Sequence, residues 1–154
     1  MKTAIVYESL LNGNTEKVAR AMAAVLDAKL IPVKEARVEE LIYYDILGFG
    51  TGIFAGSPYR SITGLVGKLP DMKGRKAFVF STGGEGNPKH HRALTERALS
   101  RGFDFAGEFC CKGEVSKMKI LFWTINFKQP TNVGQPNGED LENARNFAKN
   151  LPNK

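Results

Sequence analysis

Three short stretches of the chain place glycines beside small hydroxyl and amide side chains, each directly after an apolar run. That pattern suits a ligand held by backbone N–H groups. The first is Ser9-Leu10-Leu11-Asn12-Gly13-Asn14-Thr15. It lies between an apolar run and an amphipathic one, so it opens a helix. The N–H groups of a helix start are unpaired and the dipole is positive there, which favours a phosphate. Ser9, Asn12, Asn14 and Thr15 supply polar side chains, Gly13 allows close backbone approach, and Lys17 can lean in from the first turn. Neither GxxxxGK nor GxGxxG is present at this position. Alone, the spacing fits a phosphate site and a plain cap by Asn14 or Thr15 equally. Its place after the first strand favours the phosphate.

The second stretch, Gly50 to Tyr59, has three glycines in seven residues and two rings, Phe54 and Tyr59. A flat heteroaromatic ligand needs this pairing of a stacking surface with main-chain hydrogen bonds at its edge. A flexible loop with one ring tucked into the core fits equally. The third, Ser81-Thr82-Gly83-Gly84-Glu85-Gly86-Asn87, can present several amides to a ligand edge. Its one charge, Glu85, reads first as a surface carboxylate; beside an anionic reduced ligand it would repel.

Other reactive side chains are few. Cys110 and Cys111 are adjacent and read as packing residues on opposite faces of a strand. With His90 and His91 they make no recognisable zinc spacing. The histidines read as caps or solvent-facing groups, with proton supply as the alternative. The formal net charge is +6, and Lys112, Lys117, Lys119 and Lys128 share one segment with only Glu114 against them. A basic balance admits nucleic acid, an anionic membrane or an acidic protein as partner, and also a merely solvated loop.

These loops need a scaffold, and the chain supplies an alternating one. Apolar runs at Lys2–Tyr7, Ala28–Val33, Tyr44–Gly50, Arg75–Ser81 and Phe103–Cys111 read as strands. Helical spacing marks Thr15–Asp27, a short turn at Val38–Ile42, Ser61–Leu69, Pro88–Ser100 and Glu139–Leu151, the last stopped by Pro152. The expectation is a single α/β domain over residues 1–154, a doubly wound five-stranded parallel sheet in the order 2-1-3-4-5. Residues 112–138 break the alternation and read as a long insertion near strand 5, able to hold a hairpin or an extra strand. No apolar run is long enough to span a bilayer, and the strand starting at Lys2 leaves no room for a signal peptide. The chain therefore reads as cytoplasmic.

Ile5 to Ala19 (IVYESLLNGNTEKVA), Tyr44 to Gly56 (YDILGFGTGIFAG), Phe78 to Gly86 (FVFSTGGEG) and the C-terminal NGEDLENARNFA together resemble the flavodoxin family over nearly the whole chain. The resemblance implies a flavodoxin-like three-layer sandwich and an FMN cofactor. It implies that Ser9, Leu10, Leu11, Asn12, Gly13, Asn14 and Thr15 surround the FMN phosphate. Thr51, Gly52, Ile53 and Phe54 would flank the isoalloxazine, and Thr82, Gly83 and Gly84 would meet its pyrimidine edge. Three departures stand out. The first loop is one residue longer than S-x-T-G-N-T, with leucines at 10 and 11. The third loop lacks the usual stacking tyrosine, for which Tyr59, Phe54 or Trp123 can substitute. The chain is basic, whereas small electron-carrier flavodoxins are typically acidic.

The leading expectation is an electron-transfer protein that shuttles electrons to or from a redox partner protein with an acidic docking surface, without nucleic acid. A small NAD(P)H-dependent quinone or nitro reductase is the alternative, with Phe122 and Trp123 as walls over the flavin. A flavin-free interaction module with a basic contact surface around Lys117 is the third.

Overall fold

The computed structural model describes residues 1–10 and 12–151. Pro152, expected to stop the last helix, lies outside the described residues. Five parallel strands form the sheet: β1 (Thr3–Glu8), β2 (Lys29–Pro32), β3 (Ile46–Phe54), β5 (Lys76–Gly83) and β6 (Asp104–Lys112). Their order is β2-β1-β3-β5-β6, with the two-residue β4 (Ser57–Pro58) antiparallel to the end of β3. The five parallel strands thus follow the expected 2-1-3-4-5 order.

Side-chain alternation assigns each strand residue to one of two cores. On one face Ala4, Val6, Leu47, Phe49, Ala77 and Val79 pack with Ile62 and Val66 of α3 (Arg60–Gly67) and Leu94 and Ala98 of α4 (Arg92–Ser100). On the other, Ile5, Tyr7, Ile46, Phe78 and Phe80 meet Val18 and Met22 of α1 (Asn14–Leu26) and Ala144 and Ala148 of α5 (Gly138–Asn150). A short α2 (Val38–Leu41) adds Leu41 to the first core. Gly48 and Gly50 make room for the second: a Cβ at either would run into the ring of Phe78 or Phe80. Asn137 and Asp140 close a capping box at the start of α5.

Two expectations about local structure are corrected. The third strand does not stop at Gly50 but runs to Phe54, because β5 continues alongside it and pairs Thr51 with Ser81 and Gly52 with Thr82. The chain then turns at Ala55 and Gly56, both at positive φ, into β4. Two residues at positive φ suit the right-handed twist of a tight hairpin. The expected helix from Pro88 begins as a 3-10 turn, Pro88–His91, and becomes α-helical only at Arg92.

The insertion is a hairpin, β7 (Val115–Ile120) and β8 (Trp123–Thr131), forming its own two-stranded sheet. Its register pairs Lys117 with Asn126, Met118 with Ile125 and Ile120 with Trp123. Every residue of β8 is exposed. Among the described residues no helix is long and apolar enough to cross a membrane.

Candidate functional site

The loops at the carboxyl ends of β1, β3 and β5 meet at one edge of the sheet, where the strand order reverses around β1. In open α/β sheets this is where ligands bind. A cleft of about 410 Å³ opens there. It is lined by Leu10, Asn12, Asn14 and Thr15 from the first loop, Gly52, Ile53, Phe54 and Tyr59 from the second, and Thr82, Gly83 and Gly84 from the third.

The first loop ends at Gly13, whose left-handed conformation (φ 69°) caps α1 without a side chain to offer. The only side chain reaching the first turn's N–H groups among the described residues is Ser9, whose Oγ accepts from Glu16 N at 3.1 Å. Among the described residues the N–H groups of Asn14 and Thr15 have no side-chain partner, at the positive end of the helix dipole. Asn12 Nδ2 donates to Glu114 O (2.7 Å) and Ser116 Oγ (3.0 Å), and Asn14 Nδ2 donates to Glu114 O (2.9 Å). The other ends of both amides, Asn12 Oδ1 and Asn14 Oδ1, are shielded from water and accept nothing among the described residues. Unpaired buried acceptors are uncommon in folded proteins. Two of them belong to residues that line the cleft, and a ligand there could supply the donors.

The loops are tied to one another. Thr15 Oγ1 and Thr82 Oγ1 are 2.8 Å apart and buried. A Cβ on Gly83 would stand 3.0 Å from Ile53 Cβ, so the second and third loops touch. Tyr59 packs against Gly52, where an added Cβ would come within 2.7 Å of its ring. Burial, then Glu8, raises the Tyr59 phenol above its ordinary value and keeps it protonated.

Some expected residues do other work. Thr51 is fully buried; its Oγ1 accepts from Tyr59 N at 3.0 Å and donates to Gly52 O at 2.7 Å. It shapes the second loop and does not line the cleft. Ser9 and Gly13 likewise shape the helix start and are not among the lining residues. Leu11 lies outside the described residues. Lys17 and Trp123 do not line the cleft, whereas Phe54 and Tyr59 do.

His91 is wholly buried away from the cleft. Its Nδ1 is 2.7 Å from Ser81 Oγ and its Nε2 3.0 Å from Glu108 Oε2, so it links β5 to β6. His90 pairs instead with the exposed Glu85, at 3.7 Å. Cys110 is half-buried and Cys111 buried, consistent with neighbours on opposite faces. Burial, then Asp140 and Cys110, pushes the Cys111 thiol up to about 12. No cluster of His, Cys, Asp and Glu suited to a metal occurs among the described residues.

The insertion contributes more to the site than its composition indicated. Gly113, Glu114, Val115, Lys117, Met118, Leu121 and Phe127 also line the cleft. Its base is stitched to the loops: Gly113 N donates to Gly83 O (3.0 Å), and Asn132 Nδ2 donates to Gly84 O (2.8 Å) and Gly113 O (3.2 Å). The one advance signal was the break in strand–helix alternation at residues 112–138. Of the residues singled out there, Lys117 lines the cleft, whereas Phe122 and Trp123 do not.

A family model described as a flavodoxin domain matches residues 4–149. An uncharacterized protein of Methanocaldococcus jannaschii is 35% identical over 154 residues, covering 98% of each chain. Oxidised flavodoxin 1 from Bacillus cereus superposes with a TM-score of 0.71 at 19% identity, over 99% of this chain and 98% of that one. Fusobacterium nucleatum flavodoxin, solved bound to flavin mononucleotide, superposes with a TM-score of 0.68 at 14% identity, again over 99% and 98%.

Proposed function

Because the chain belongs to the flavodoxin domain family, we propose that its cleft binds FMN and that the protein carries electrons to or from a redox partner protein. The observation that carries this reading is the pair of buried oxygens, Asn12 Oδ1 and Asn14 Oδ1, without a partner among the described residues, beside a helix start whose cap, Gly13, offers no side chain. The residues present fit the group. The N–H groups of Asn14 and Thr15 and the α1 dipole hold the phosphate without needing a cation. Asn12 and Asn14 offer acceptors to the hydroxyls of the ribityl chain. Ile53, Phe54 and Tyr59 flank the ring on one side, and Thr82, Gly83 and Gly84 border its edge. FMN, when bound, supplies reversible one- and two-electron transfer.

The chain's own part is to fix the ring, exclude water and set the field around it. Thr15 and Thr82 lock the first loop to the third. Met118, Leu121 and Phe127 add an apolar wall from the hairpin. A net charge of +6 suits a partner with an acidic docking surface. Adding FMN to the purified chain and removing the excess tests the binding. A retained flavin spectrum supports it, and a colourless protein rejects it.

That apolar wall also favours a second reading, a small NAD(P)H-dependent quinone or nitro reductase whose substrate lies between the hairpin and the flavin. NAD(P)H oxidation by the FMN-loaded chain with a quinone and no added reductase would select it over the carrier. No turnover would reject it.

A further inference from the structure

The exposed apolar surface of the molecule is concentrated at the mouth of the cleft. Leu10, Phe54 and Leu121 line the cleft and are all exposed. Beyond them the hairpin ends in a bare apolar tip: Leu121 is 80% exposed, Phe122 96% and Trp123 74%. Leu121 and Phe122 are the two residues linking Ile120 to Trp123. Tight two-residue turns favour Asn and Gly, which tolerate positive φ. Here Leu121 takes φ 54°. Neither residue type favours such a turn, and neither side chain is covered. Their apolar character serves contact with something outside the domain.

The charge around the tip says what that is. Residues 115–131 contain Lys117, Lys119 and Lys128 and no Asp or Glu. Lys117 pairs with Asn126, three rungs behind the Ile120–Trp123 rung, about 10 Å at the usual rise per residue. The headgroup layer of a bilayer is about 5–8 Å thick on each side. An apolar tip seated in the acyl boundary therefore leaves the Lys117 backbone just outside the headgroup layer, from which its exposed side chain can reach back to the lipid phosphates. Trp123, on the last rung of the tip, brings an indole ring to the interface, where such rings are favoured. A second copy of this chain is a poor occupant, because two acid-free lysine ribbons brought face to face repel. A protein with an acidic surface would meet the lysines; an anionic bilayer meets them and also takes the three adjacent apolar side chains of the tip.

We propose that the β7–β8 hairpin is a membrane-surface anchor whose tip, Leu121-Phe122-Trp123, enters the outer edge of an anionic bilayer. The inference stands whether or not FMN occupies the cleft.

Trp123 is the only tryptophan, so it reports its own environment. The full chain is mixed with vesicles of phosphatidylcholine alone or with added phosphatidylserine. Binding is read by co-sedimentation, Trp123 emission and acrylamide quenching. The expected result is pelleting with the anionic vesicles, a blue shift and loss of quenching. Phe122→Asp should weaken pelleting by ~tenfold or more, and Lys117→Glu should weaken it while leaving neutral vesicles unaffected. Phe122 is so exposed that its variant keeps the fold, which far-UV circular dichroism checks. Three results overturn the proposal. One is no pelleting at low salt. Another is pelleting without a Trp123 shift, or unchanged by Phe122→Asp, which is adsorption of a basic protein. The last is a Trp123 shift that appears on concentrating the chain or adding an acidic protein, but not with lipid.

Discussion

The hydroxyls of Thr15 and Thr82 lie 2.8 Å apart in a buried contact between the start of α1 and the end of β5. The contact joins residues 67 positions apart and holds the first and third loops of the cleft in one frame. Each hydroxyl is the other's partner. Thr82→Val therefore strands Thr15 Oγ1 without water, and stability should fall by about 1–3 kcal/mol. Adding Thr15→Val removes the stranded group. The double variant should then be more stable than the two single losses predict, by at least about 0.5 kcal/mol in a urea-denaturation cycle.

His91 supports the sheet and not the cleft, so its loss should separate stability from binding. His91→Leu leaves Ser81 Oγ without its partner and Glu108 without its bridge. The midpoint of urea unfolding should drop, with a stability loss of about 2 kcal/mol or more. FMN affinity should stay within about threefold, because that change corresponds to only about 0.6 kcal/mol. A large loss of FMN affinity at unchanged stability would place His91 at the site instead.

Gly50→Ala puts a methyl group into the ring of Phe80. Overpacking of this kind costs about 1–3 kcal/mol. Phe80→Leu, added to it, should restore part of the loss by giving the methyl group room. Thermal melts of the two single variants and the double variant measure this directly.

The Cys111 thiol gives a pH signature. Burial raises its pKa from 9.0 to about 12, so folding favours the protonated thiol. That contribution is complete below pH 9 and is lost as pH rises toward 12. Native protein at pH 8 should leave Cys111 unalkylated by iodoacetamide over hours. Stability should fall between pH 9 and 12. Cys111→Ala should flatten that fall, as read by denaturation at several pH values.

The alternation of strands and helices was legible because each element carries its own period. Ile5 and Tyr7 take one face of β1 and Ala4 and Val6 the other, and Val18 and Met22 share one side of α1. The loop positions followed from that alternation. The division of labour inside the loops did not, because a threonine at a strand end looks the same whether it faces a ligand or its own backbone. Thr51 faces the backbone of Gly52 and Tyr59; Thr82 faces Thr15. The hairpin was least legible. Its apolar residues lie on an exposed ribbon, so core periodicity does not predict them. Its part in the cleft depends on Glu114 O meeting Asn12 and Asn14 about a hundred residues away.

In the proposed function the cleft holds FMN through the start of α1 and the amide oxygens of Asn12 and Asn14. The most direct measurement is the visible spectrum of the purified chain after incubation with FMN and gel filtration, beside that of a variant carrying Asn12→Leu and Asn14→Leu. The account predicts stoichiometric flavin on the native chain and a clear loss on the variant, with both chains folded. A native chain that emerges without flavin, or a variant that binds FMN as tightly as the native chain, would contradict it.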